Sequence, residues 1–342
     1  MNWLRLVVIV VVWAEWTRAE GEGHLIGLDQ TPILRAVELS LHHAYSAAES
    51  IFDSLQKIYP DHPAPEYFHA LLKQMMMMDY ETDLYEKEFL LLAERSLKKS
   101  ETILKLNPAN VWAQYFLASI LVTRSIYWIS HGQILQGSFG GLAGIERLEK
   151  LVKQEPTFYD AYFYLAIYRC LKYELSHKLW WRFIKRENRI NEGLSLLELI
   201  HEKGTFSRFG AIQALLYFYA YQKEFVKAKA VAQKLLEQYP NNRFGLWGLA
   251  KIYFENREYA ESKKIFQQLL ELTSAEKMPG RLNEVSLSIY LARCSYELGD
   301  VEAYGQYIDR AGKTTLDAKS REKLSEDLKD LESLRDQING KN

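Results

Sequence analysis

The sequence predicts an all-α fold of stacked helical hairpins. Three observations predict it. Similar residues recur at a spacing of 34 between Gln222 and Leu272. The apolar residues inside each recurring segment follow a helical period rather than the alternation of a strand. Only 8 prolines and 18 glycines interrupt the 342 residues, so long regular elements are allowed. The chain is 48% hydrophobic and 25% charged, a composition that excludes wholesale disorder. Its 43 basic and 44 acidic side chains nearly cancel. No global field therefore draws it to nucleic acid.

The recurring segments read KEFVKAKAVAQKLLEQYPNN and REYAESKKIFQQLLEL. Phe225 and Tyr259, Ala228 and Ser262, and Leu235 and Leu269 are all 34 apart. Each segment follows an apolar stretch of helical period, AIQALLYFYAY (211–221) and WGLAKIYFEN (247–256). Leu249, Ala250 and Tyr253 share one face of the second. One unit is thus a helix, a short turn and a second helix. Small residues such as Ala228, Ala250 and Ala292 let two helices approach, and Leu and aromatic side chains fill the gaps. Proline after the second helix stops it. A single unit cannot bury its own apolar flank, so neighbours must stack.

Such a unit, with Leu-Ala, then Tyr, then a small residue, then Pro, resembles the tetratricopeptide repeat (TPR). Ala48, Phe52, Leu55 and Pro60 match the second half of a unit. Asn107-Pro108 and Glu155-Pro156 close two more, and Leu117-Ala118, Leu165-Ala166 and Leu291-Ala292 mark first helices. The match covers residues 29–312. It implies an all-α, TPR-type right-handed helical solenoid of about six units. The match is interrupted, however. Pro60 to Pro108 and Pro108 to Pro156 are each 48 residues. The surplus must lengthen helices or project as loops. Long inserts of this kind resemble a bacterial subgroup of TPR proteins. Residues 314–342 carry Leu324, Leu328, Leu331 and Ile338 on one stripe, the pattern of a C-terminal capping helix.

The N-terminus differs from the rest. Arg5 precedes the apolar run Leu6–Ala14, and Thr17-Arg18-Ala19 supplies small residues. Residues 1–19 read as a signal peptide, which implies export; with the resemblance to a bacterial subgroup, that implies a place in the periplasm or envelope. An internal apolar helix in a cytoplasmic protein is the alternative. The run is about half the ~20 apolar residues that span a bilayer.

Chemistry-bearing motifs are scarce. His42 and His43 are adjacent and diverge by about 100° on a helix, so they do not share a metal easily. Cys170 and Cys294 lie 124 residues apart along an elongated stack and read as buried thiols. Met75–Met78 point all around a helix rather than to one copper-binding side. GxSxG and GxxxxGK[ST] are absent. Ser138-Phe139-Gly140-Gly141 reads as a loop within an insert. No catalytic residue, metal ligand or cofactor is assigned, and no small-molecule substrate is expected.

Two features point to partners. In TPR proteins the first helices line a concave surface. Carried onto this chain, that surface holds Trp112, Tyr115, Phe163, Tyr217, Phe244, Trp247 and Lys251, with Asp160 and Gln213 at neighbouring positions. It is aromatic rather than charged, which fits a protein or peptide partner better than a carboxylate clamp. The alternative is that the inserts cover these side chains. The second feature is the basic, aromatic insert of residues 172–189, in which Trp180, Trp181 and Phe183 sit among Lys178, Arg182, Lys185 and Arg186. It suits either the periphery of a membrane or a helix packed on the solenoid. The sequence thus describes a non-enzymatic scaffold, with a membrane-docked subunit as the alternative.

Overall fold

The structure, a computed structural model, describes residues 28–178, 189–276, 281–316, 318–326 and 328–329. Residues 1–19, and Trp180, Trp181 and Phe183 of the insert, lie outside these. The described helices are α1 (Thr31–Leu41), α2 (Tyr45–Ile58), α3 (Ala64–Asp79), α4 (Glu86–Leu106), α5 (Val111–Ser130), α6 (Ile134–Gln154) and α7 (Phe163–Lys178). After them come α8 (Ile190–Lys203), α9 (Arg208–Tyr221), α10 (Phe225–Gln238), α11 (Arg243–Glu255), α12 (Tyr259–Ala275), α13 (Leu282–Glu297), α14 (Val301–Lys313) and α15 (Ala318–Lys323). A 3-10 turn, Tyr159–Tyr162, leads into α7. None of the described helices is long and apolar enough to cross a membrane.

The turns repeat one geometry. Connectors of three residues follow α1, α5, α9, α11 and α13. The middle residue of each is left-handed: His43 (φ 60°), Gly132 (79°), Lys223 (60°), Arg257 (62°) and Gly299 (73°). Glycine reaches this region without strain, and other residues occupy it at some cost. The starts of first helices repeat as well. Asn110, two residues after Pro108, accepts from the Ala113 amide at 2.9 Å, and Asn242, two residues after Pro240, accepts from Gly245 at 2.9 Å. Proline thus ends one hairpin, and the asparagine caps the next.

The chain forms two compact units. One comprises the described residues from Leu28 to Met76 together with Tyr85–Gln222. Within it, α1 packs on α2, α5 on α6, and α8 on α7 and α9. Lys99 of α4 pairs with Glu66 of α3. The surplus over a 34-residue repeat lies in helix length: α4, α5 and α6 have 21, 20 and 21 residues, against 14 and 13 in α10 and α11.

Here the loop expected at Ser138–Gly141 is corrected, because these residues lie inside α6. Gly137 and Gly144 face α5 so closely that a β-carbon would stand 2.6 Å from the Ile129 and Val122 side chains respectively. Glycine at this spacing is a seam for close helix contact rather than a breaker.

The other unit contains Met77–Leu84 and Lys223 onward. Its core gathers Leu246, Ala250, Phe266, Leu269, Leu287, Leu291 and Cys294. Arg243 is buried, forms a forked ion pair with Asp79, and reaches Glu276 at 2.8 Å. Lys229 pairs with Glu258, and Lys263, 34 residues later, pairs with Asp300 at 2.8 Å. The lysines are one repeat period apart, while their partners, the residues just before α12 and α14, are 42 apart. Leu324 is buried against Leu282, Val285, Ile289 and Tyr304, and Leu328 packs at its edge.

Candidate binding surfaces

The aromatic residues singled out by the repeat register divide into two classes. In the first unit, Tyr115, Phe163 and Tyr217 are buried. Trp112 is half-buried. Its ring meets Phe158 edge-on at 4.7 Å, stacks on Phe116 at 5.8 Å and touches Phe206 at 6.0 Å. Tyr115 lies 5.1 Å from the same Phe158. Phe158 sits two residues after Pro156, at the position that Asn110 and Asn242 occupy elsewhere. In place of a cap it supplies a ring that packs against Trp112 and Tyr115 of α5.

In the second unit, Phe244 and Trp247 are half-buried and Lys251 is buried. Trp247 stands edge-on to Phe266 at 5.4 Å and to Tyr290 at 5.7 Å. The Lys251 ammonium lies 5.7 Å from the Tyr290 ring centre. Rings packed beneath fix the orientation of each half-exposed tryptophan. Tyr290 and Phe158 were missed by sequence reasoning, because neither falls on the first-helix positions that the register marks.

Asp160 holds a different place from the one its register suggests. The 3-10 turn carries it inward, and it is buried. Its Oδ1 accepts from the Phe206 amide, the Ser207 amide and the Ser207 hydroxyl, each at 2.7 Å. Its Oδ2 accepts from the Thr205 amide at 3.1 Å. These donors lie at the start of α9, where free backbone N–H groups and the helix dipole favour a carboxylate. One side chain thereby ties the entry of α7 to the entry of α9.

Polar groups near this seam are also internal. Burial holds the Tyr67, Tyr115 and Tyr164 hydroxyls well above the usual tyrosine range, so they stay protonated. Tyr164 bonds to Thr123 at 2.5 Å. Buried Lys73 pairs with Glu49 and Glu88. Burial alone would lower its pKa, but the two carboxylates outweigh that and raise it. Glu49 is held below the usual range by the His69 ring, whose Nε2 lies 3.8 Å away, and by Lys73.

Cys170 and Cys294 are buried, and desolvation pushes their thiols up to about 12 and about 11. Such thiols are poor nucleophiles. Met76 and Met77 are buried, and Met75 and Met78 are half-buried, as gap-fillers of a helix would be. No group of three or more His, Cys, Asp or Glu among the described residues could hold a metal. An open cleft of about 600 Å³ is lined by Arg281, Glu284, Asp309, Arg310 and Lys313. Its charges pair among themselves: Arg281–Glu284 at 2.7 Å, Arg310–Glu284 at 3.2 Å and Lys313–Asp309 at 3.3 Å.

The stacked hairpins, their left-handed turns and their small-residue seams define a TPR-type repeat fold. No family description matches the sequence, and no curated protein does. Among solved structures, the chain is similar to one in the APC/C heterotetramer Cut9–Hcn1. The TM-score is 0.53 at 13% identity, over 85% of this chain and 47% of that one, so this protein spans about half of that chain's length. It is also similar to PilW, a widely conserved type IV pilus biogenesis factor (TM-score 0.48, 14% identity, 76% of this chain and 98% of that one). A further likeness is to the C-terminal part of a TPR repeat-containing protein from Cytophaga hutchinsonii (TM-score 0.42, 16% identity, 84% and 97%). At these identities the likeness is one of fold.

Proposed function

We propose that the protein is a non-enzymatic scaffold that binds a protein segment on first-helix faces of its TPR-type hairpins. The observation that carries this reading is the pair of half-exposed tryptophans, Trp112 and Trp247, each wedged upright by aromatic rings beneath it. A ring already fixed in place loses little entropy when a partner covers it, and tryptophan is the residue type most enriched at binding hot spots. Phe244 extends the exposed surface beside Trp247. Tyr115, Phe163, Tyr217 and Lys251 then act from below, as supports rather than contacts.

The scaffold reading includes work in the cell envelope, which rests on the signal-like segment 1–19. The mass of the mature N-terminus tests that part separately.

The binding reading is tested by affinity capture from the native cell with wild type, Trp247→Ala and Trp112→Ala. Loss of the same captured proteins, with unchanged helical content by circular dichroism, is the expected result. Equal capture by all three would remove the tryptophan faces from the account.

A further inference from the structure

Among the described residues, one face of α6 meets no partner. Leu135, Phe139 and Leu142 follow the spacing i, i+4, i+7 and are 67%, 76% and 39% exposed. This face lies opposite the glycine seam of Gly137, Gly141 and Gly144, which faces α5. From Ser125 to Ile145 the chain contains no Asp, Glu, Lys or Arg. The first charges beyond the stripe on the same face are Glu146 and Lys150, which neutralise each other at 2.7 Å.

From this geometry we infer that α6 is a homodimer contact, with a second copy of the chain packed antiparallel across Phe139. Two observations select that occupant. The stripe is nearly symmetric about Phe139, with Leu135 four residues before it and Leu142 three after. A two-fold axis at Phe139 therefore sets Leu135 of one copy against Leu142 of the other, as an isologous contact requires. The charge pattern permits self-association, because no unpaired charge of one sign meets its own image. Glu146 of one copy instead comes to the His131–Gly132 turn of the other.

A stripe of three side chains makes a small contact, so the dimer is expected to be concentration-dependent. A lipid surface fits less well, since interfacial helices carry Lys and Arg on the flanks of the apolar face and this half of α6 has none. The inference stands independently of the tryptophan faces, which lie on other helices.

Sedimentation velocity of the full-length protein over a concentration series of about 2–200 µM tests it. Wild type should move from monomer toward twice the mass. Phe139→Glu should stay monomeric throughout with an unchanged melting temperature, because the side chain it replaces is mostly exposed. Under mild oxidation Phe139→Cys should form a disulfide-linked dimer faster than Val226→Cys, a control on an exposed site outside the stripe. A wild type that is monomeric at every concentration overturns the inference. So does a dimer that survives Phe139→Glu, or Phe139→Cys crosslinking no faster than the control. Monomeric wild type that floats with phosphatidylglycerol vesicles, when Phe139→Glu does not, would assign the face to lipid instead.

Discussion

Asp160→Ala is expected to destabilise the unit that contains it more than almost any other single substitution of a polar residue. The carboxylate accepts four hydrogen bonds, and two of the donors, the Phe206 and Ser207 amides, are buried at 2.7 Å. Removing the acceptor leaves those amides without a partner in a site that water does not reach. A hydrogen bond to a charged group contributes about 1.5–3 kcal/mol, and each orphaned buried donor costs about 1–3 kcal/mol. Because the bonds share one carboxylate they do not add independently, and the expected loss is about 3–5 kcal/mol. Asp160→Asn keeps one oxygen for Phe206 and Ser207 but turns an N–H toward the Thr205 amide, so about 1–2 kcal/mol is expected. Urea unfolding at neutral pH reads the size of the effect. Amide hydrogen exchange at 205–208 reads its place, and should speed up before exchange in α5. A loss below about 1 kcal/mol in Asp160→Ala would refute the reasoning, since it would mean that the amides find other partners.

The remaining predictions concern packing and pH. Gly137→Ala and Gly144→Ala should each lower stability by about 1–3 kcal/mol despite the better helix propensity of alanine, because the new methyl collides with α5. Gly305→Ala and Gly312→Ala have nothing within 4 Å. They should raise stability by about 0.5–1 kcal/mol, and thermal melts of the four variants check the opposite signs. The depressed pKa of Glu49 gives a stability contribution that is present at neutral pH. It is lost as pH falls from about 4, the unfolded range, through the lower folded value. Urea midpoints measured at pH 7 and at pH 3 should therefore differ less in Glu49→Gln than in wild type.

Much of the fold is legible in the sequence because packing imposes a period. The 34-residue spacing of Ala228/Ser262 and Leu235/Leu269 places small and large side chains where α10 and α12 meet their neighbours, and all four are buried. Less legible was what fills the surplus length. A long helix and a projecting loop satisfy the same residue count, and the glycines of α6 favoured the loop. Their spacing at 137, 141 and 144 was the available signal, since glycines on one face of a helix mark close approach rather than a break. The candidate site was legible only as a set of positions. The register assigns Asp160 and Tyr115 to a surface, but the 3-10 turn and the Phe158 ring bury them. Both depend on contacts between residues about 45 apart, which no local pattern encodes.

The claim that the tryptophan faces meet a protein is tested most directly by photo-crosslinking in the native cell. A benzophenone amino acid would be placed at Trp112 or Trp247, and at the exposed Ile58 and Val226 as controls. Discrete protein adducts at both tryptophan positions, and none at the controls, are predicted. Adducts confined to Ile58 or Val226, or none at either tryptophan, would contradict the account.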